Sequence, residues 1–237
     1  MSMSRMPVRA GIVAIAAVAL GLSLAGCGSD TETESTTKAE ETTSEETTSS
    51  ETSEAPTTSA QAGAPKYTIA DYIRDGGIVE TPVQRGDPGS PTINLPMPPG
   101  WTDADAQKPQ GSYGMIASTD PAFAASPPTI VAIMSRLTGD VDPAKILEFS
   151  AGEIQNLPGY EGADKGSPSE LGGFDASQIG GTYMKADVKR AIAQKTVVIP
   201  GQDGLYVLQL NADGTEDQMM AMMDATDVID EQTTITP

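Results

Sequence analysis

Leu24-Ala25-Gly26-Cys27 is the stretch whose residue types and spacing commit the chain to a covalent chemistry. A thiol preceded by two small residues reads as a lipobox. Ala25 and Gly26 let an extended chain enter a narrow peptidase site. The Cys27 sulfur can take a diacylglycerol thioether, and cleavage before it frees an amine for a further acyl chain. One acyl chain holds a protein marginally, whereas two or three hold it stably. The competing reading is an ordinary secretory signal with a chance cysteine. Cys27 is the only cysteine. As a thioether it leaves no thiol and no disulfide, which removes cysteine nucleophiles and thiolate metal sites. An exported domain of this kind must fold by packing alone.

The remaining chemistry is narrow. There is no histidine, which excludes serine-histidine-acid and cysteine-histidine catalysis and every histidine-based zinc site. No glycine-x-serine-x-glycine elbow and no phosphate loop ending in Gly-Lys-Ser or Gly-Lys-Thr occurs. Ser35-Thr36-Thr37-Lys38 has the serine-x-x-lysine spacing of some acyl-transfer enzymes, but its surroundings have no means of holding a geometry. Two carboxylates can hydrolyse a glycoside when held about 5 to 9 Å apart. With 24 acids beyond residue 64, such pairs carry almost no signal. Asp224, Asp227 and Asp230 recur every three residues and read as a solvated helix face before a cation site. Asn211-x-Asp213-Gly214 echoes a calcium loop, but Gln209 and Met220 stand where that loop needs acids. The expectation is no metal, no cofactor beyond the acyl groups on Cys27, and no enzyme.

Two features suit contact with a ligand or partner. Met219, Met220, Met222 and Met223 crowd one predicted helix, and four within five positions cannot all face inward. Methionine makes adaptable contact with proteins and acyl chains. Core packing with Met220 left partly exposed is the alternative. Trp101, the lone tryptophan, follows Pro98-Pro99-Gly100 and reads either as a core anchor or as the wall of a binding site.

Three segments position these residues. In 1–26, Arg5 and Arg9 precede an uncharged apolar run from Ala10 to Leu22, the layout of an export signal. That run is shorter than the roughly 20 residues needed to span a bilayer. Residues 27–64 hold Cys27 and a Ser/Thr/Glu-rich stretch with no aromatic and no Ile, Leu, Val or Met. Nine acids there oppose Lys38, and such a composition cannot bury enough apolar area to order itself. It reads as a disordered tether, extended by its own charge, with O-glycosylation and plain solvation both open. Residues 65–237 read as a single globular domain. Of the net charge of -19, -13 remains here once the signal (+2) and tether (-8) are set aside. That argues against nucleic acid.

Within the domain, Thr68 caps a predicted helix over 69–75 that Gly76-Gly77 stops. Strands are expected near 78–84, 92–95, 113–118 and 129–137, the last apolar on both faces. Asp142-Pro143 starts a helix that runs to Pro158 and is weakened by Gly152. A mobile loop is expected over 159–173. Three antiparallel strands follow near 174–185, 190–199 and 204–211, with Gly172-Gly173 and Gly180-Gly181 read as turn or bulge positions. Thr215-x-x-Gln218 resembles a capping box before a helix over 216–229 that buries Met219, Met222, Met223, Thr226 and Ile229. Strands in consecutive runs predict an α+β fold, an antiparallel sheet flanked by helices.

Several stretches carry a family likeness: Tyr67-Thr68-Ile69-Ala70-Asp71-Tyr72-Ile73, Gly86-Asp87-Pro88-Gly89-Ser90-Pro91-Thr92, Val197-Val198-Ile199-Pro200 and Val228-Ile229-Asp230-Glu231-Gln232-Thr233-Thr234. Together with the order signal, tether, domain, they resemble the mycobacterial LpqN lipoprotein family. The resemblance implies a Mog1/PsbP-like α+β fold. It implies a lipoprotein on the outer face of the cytoplasmic membrane, in the cell envelope of an actinobacterium. It also implies service to the envelope through protein contacts and lipid handling. It carries no catalytic residue, and only Leu24, Ala25, Gly26 and the modified Cys27 transfer as site residues. The tether here is far more Glu-rich than the family's.

Three functions stay open. The first is a non-enzymatic accessory lipoprotein that binds an envelope protein and has no deep cavity. The second is a carrier that holds a lipid or small apolar ligand between sheet and helix, in a pocket of a few hundred cubic ångströms. The third is an acid-only hydrolase.

Overall fold

A computed structural model describes residues 64–237. The lipobox, Ser35–Lys38 and nearly all of the acidic stretch lie outside the described residues. The element order is α1 (Ile69–Asp75), β1 (Val79–Pro82), β2 (Thr92–Asn94), β3 (Trp101–Asp103), β4 (Gly114–Ser118), β5 (Thr129–Thr138), α2 (Pro143–Phe149), α3 (Ala151–Gln155), β6 (Glu161–Gly162), β7 (Ser167–Leu171), β8 (Phe174–Lys185), β9 (Val188–Gly201), β10 (Gly204–Thr215), α4 (Met219–Gln232) and β11 (Thr234–Thr236). The fold is α+β, as expected. Nine antiparallel strands form one sheet ordered β3-β4-β5-β10-β9-β8-β6, with β1 beside β5 and β7 beside β8. β2 and β11 pair separately.

The centre of the sheet is the meander β8–β9–β10. Strict alternation makes it two-faced, because successive side chains point to opposite sides of a strand. Ala176, Ala191, Val197, Ile199, Tyr206, Leu208, Leu210 and Ala212 join Ile130, Ala132 and Met134 of β5 in one core, which Met222, Ala225 and Ile229 of α4 close. Residues one step along point the other way. Val198, Leu205, Val207 and Leu137 pack with Ile69 and Ile146, and Ile179, Tyr183 and Ile192 pack with Ala151 and Ile154. So α1, α2 and α3 cover one face of the sheet, and α4 covers the other.

Local signals explain the helices. Thr68 Oγ1 accepts from the Asp71 N–H, and the Asp71 carboxylate accepts from the Thr68 N–H, a capping box with Asp in the reciprocal position. Asp142 caps α2 with Pro143 in the first turn. The single helix expected from Pro143 to Pro158 is two helices meeting at Ser150. Gly152 lies buried in the second, and a Cβ there would sit 2.2 Å from the Tyr67 carbonyl oxygen. Glycine is needed so that the incoming chain can lie against α3. That chain is clasped there: Lys66 N–H donates to Asn156 Oδ1 at 2.7 Å, and Asn156 Nδ2 donates to the Lys66 carbonyl at 2.9 Å.

Three other expectations need correction. Residues 159–173 are not simply a loop, because β6 and β7 form there as partners of β8. β5 is not apolar on both faces throughout: Ile133 is exposed, and only Leu137 joins the second core. Gly180 and Gly181 sit in unbroken register with Ala193 and Ile192, so they are neither turn nor bulge. A Cβ at Gly181 would meet the Glu161 carbonyl oxygen at 2.6 Å and the Tyr160 ring at 2.7 Å, the close approach that lets β6 reach β8. Gly172 and Gly173 do form a turn, both with positive φ.

Candidate functional site

The register of the meander sets side chains in rows across the face under α4. Gly180, Ala193 and Ala212 form one row, and Thr182, Ala191 and Gly214 form the next. Six small side chains in a six-position patch leave the floor low. α4 packs mainly on β10, drawn close where Met222 Sδ comes within 3.0 Å of the Cβ position of Gly214. The floor over β8 and β9 is left open.

The result is a cleft between α4 and the sheet. One part, of about 380 Å³, is lined by Gln178, Gly180, Ala193, Lys195, Leu210, Ala212, Met223, Thr226 and Asp230, with Ala163 and Ser167 on the far wall. A second part, of about 300 Å³, is lined by Gly180, Thr182, Ala191, Ala193, Ala212, Met219, Met222, Met223 and Thr226, with Glu161 at its rim. The shared residues Gly180, Ala193, Ala212, Met223 and Thr226 make the two parts continuous.

The polar groups sit at the ends. In the row beyond Ala193, Lys195 is buried, and its ammonium donates to Asp230 on α4 at 2.6 Å. Two rows the other way, Lys189 faces Glu161 at 3.1 Å and Glu216 at 3.6 Å. Interactions with these carboxylates raise the Lys189 ammonium above its ordinary value. Six residues of strand separate the two lysines, about 20 Å. An apolar trough with a paired charge at each end suits an elongated apolar guest. Two acids of α4 line the first part of the cleft, Asp230 in its pair with Lys195, and Asp227 beside it. Asp224, Asp227 and Asp230 are exposed on α4, and Asp230 serves the Lys195 pair.

The methionines divide. Met222 is 4% exposed and belongs to the core, and Met219 is half-buried. Met223 is 50% exposed and lines both parts of the cleft, and Met220 is 66% exposed and lines neither. The expected inward set Met219, Met222, Met223, Thr226 and Ile229 is therefore corrected. The helix is rotated so that Ala225, a small residue, lies between Met222 and Ile229 against the sheet. Met223 and Thr226 move to the cleft mouth. Trp101 is 9% exposed within the core under α4, so the structure seats it as a core anchor and not as a ligand or partner surface. The small-residue floor was missed by sequence reasoning. Gly180, Ala193 and Ala212 are scattered along the chain, and the signal lay in the strand register alone.

A polar network fills the opposite face. Asp213 accepts from Arg190 and from the Tyr183 hydroxyl. Burial first, and then the Asp213 carboxylate, pushes the Tyr183 phenol up to about 12. Glu153 accepts from Gln209 at 3.1 Å and Gln194 at 3.4 Å, and Ser150 meets Ser177 at 3.1 Å.

Comparison with known proteins agrees with the architecture. Residues 65–236 match the family model described as probable lipoprotein LpqN. The chain is 58% identical over 224 residues to lipoprotein LpqN of Mycobacterium tuberculosis, covering 94% of this chain and 97% of that one. It is 26% identical over 164 residues to the proline-rich 28 kDa antigen of Mycobacterium bovis, of which it spans about half. The crystal structure of LpqN, involved in cell envelope biogenesis of Mycobacterium tuberculosis, superposes with a TM-score of 0.70 at 59% identity, over 73% of this chain and 99% of that one. Sequence and fold together show that this chain belongs to the LpqN lipoprotein family.

Proposed function

We propose that the protein is a lipid-anchored, non-enzymatic lipoprotein of the cell envelope whose domain carries a lipid or other small apolar ligand in the cleft between α4 and the sheet. The observation behind this reading is the small-residue floor of Gly180, Thr182, Ala191, Ala193 and Ala212, which lines the cleft beside α4. Binding clefts are typically apolar with a few fixed polar groups and measure a few hundred cubic ångströms. The second part of this cleft is lined mainly by apolar residues, and the first adds polar groups at Gln178, Lys195, Asp227 and Asp230. The envelope role follows from the 58% identical relative and its part in envelope biogenesis. The anchor rests on Leu24-Ala25-Gly26-Cys27.

A cleft of this size moves the carrier ahead of an adaptor without a cavity. The exposed Met220, outside the cleft, favours a protein contact as a second role beside carriage. Native mass spectrometry of the protein from its own envelope, in mild detergent, tests both. The expected spectrum shows acyl mass at Cys27 and a small, displaceable adduct. Gly180→Leu should lose the adduct and keep the acyl mass. A Cβ at Gly180 meets nothing closer than 3.4 Å, so the leucine fills the cleft without a backbone clash. A co-purifying protein with no adduct would return the adaptor reading to first place. A Cys27→Ala variant still bound to membranes would end the anchor.

A further inference from the structure

We propose that Met223 is an oxidative modification site through which a hydroperoxide lowers the cleft's affinity for an apolar guest. This inference rests on the cleft being a binding site. Of the four methionines crowded at the start of α4, two are substantially exposed, and only Met223 of these lines the cleft, where it touches both parts. Met97 and Met184 are also exposed but are not among the residues lining either part. The chain has no cysteine among the described residues, so methionine is its oxidisable sulfur there.

The step is an oxygen-atom transfer. The thioether sulfur attacks the distal oxygen of a hydroperoxide, the O–O bond breaks, and an S–O bond forms. Sulfur loses two electrons, the peroxide gains them, and the displaced oxygen leaves as water or an alcohol. The product, a sulfoxide, is polar and chiral where the thioether was apolar. Beside a guest, that oxygen must either surrender its hydration or hold the guest away. The position is well suited to this, because Ala193, Ala212 and Gly180 of the shared floor bring no side-chain donor, and the Thr226 hydroxyl already donates to the Met223 carbonyl. An unsatisfied polar group in an apolar contact weakens binding. The expected loss is roughly tenfold, about 1.4 kcal/mol.

Met220 supplies an internal control, since it is more exposed than Met223 and lies outside the cleft. The full-length protein is treated with graded hydrogen peroxide. Each methionine is followed by peptide mass spectrometry, and a dansyl-labelled undecanoic acid reports the cleft by fluorescence. The expected result is a fall in probe affinity of roughly tenfold that tracks Met223 oxidation. Met223→Leu keeps its affinity after peroxide, and Met220→Leu loses it as the wild type does. A wild type whose Met223 is fully sulfoxide and whose affinity is unchanged overturns the proposal. So does a Met223→Leu protein that loses affinity to the same extent. An untreated protein that binds no probe, with Gly180→Leu indistinguishable from it, overturns the carrier reading as well, which separates the two failures.

Discussion

The two faces of the sheet are made from alternate residues of the same strands, yet the space they leave differs: about 120 Å³ beside α1, against two joined parts of about 380 and 300 Å³ beside α4. Under α1, α2 and α3, the gaps between apolar side chains are occupied by Ser150 and Ser177, by Glu153 with Gln194 and Gln209, and by Arg190 with Asp213 and Tyr183. Under α4, the corresponding positions on β8 and β9 are Gly180, Thr182, Ala191 and Ala193, which carry small side chains or none and line the cleft. Close packing inside proteins leaves few voids larger than a water molecule. Under the proposed carrier function, the cleft beside α4 is where the molecule works, and the network on the other face is where it is held together.

The comparison can be broken from either side. The largest effect is expected at Gly152, where Ala forces a Cβ against the Tyr67 carbonyl. Urea unfolding should show a loss of about 3 kcal/mol, at the upper end for overpacking, while any ligand of the cleft still binds the folded fraction. An unchanged midpoint would mean that the Tyr67 segment is not seated on α3.

The Tyr183 phenol gives the next effect, and it is specific to alkaline pH. Its folded value is raised above the ordinary 10 to about 12, so the folded chain retains a proton that the unfolded chain releases. Stability from this group is intact below pH 10, declines from pH 10 to 12, and is lost above. Across that window the decline should be about 2 kcal/mol, and Tyr183→Phe should lack it. A variant that follows the wild-type curve would exclude the phenol as its origin.

Smaller again, Glu153→Ala leaves the Gln209 amide without its acceptor, while Gln194 keeps Asn211 at 3.0 Å, and should cost about 1.5 kcal/mol by thermal unfolding. Its mirror on the open face, Thr226→Val, should change stability by less than about 0.5 kcal/mol. Its hydroxyl bonds only its own helix, at the Met223 carbonyl. Equal costs for the two would dissolve the distinction between the faces.

Much of the scaffold was legible because it is locally determined. Pro200-Gly201-Gln202-Asp203-Gly204 marks a hairpin, Thr215 and Gln218 close a capping box, and Asp142-Pro143 starts a helix, each through chemistry within a few residues. β7 was not legible. Ser167-Pro168-Ser169-Glu170 has no strand propensity, and it is extended because β8 offers it hydrogen-bond partners. β11 escaped for a similar reason, since it is three residues long and pairs with β2, the strand expected near 92–95, from a distant part of the chain. The site was half legible. The methionines announced themselves, but the phase of α4 depends on Gly214 admitting Met222, a contact between elements that no periodicity records. The open floor depends on three strands agreeing in register.

The clasp between Lys66 and Asn156 has a mechanical meaning. A pull on the chain from before Ala64 reaches the domain first through these two hydrogen bonds and then through α3. The load therefore enters on the face that carries the polar network. The cleft lies across the sheet from that path, so the first contacts to bear the load are not those that line it.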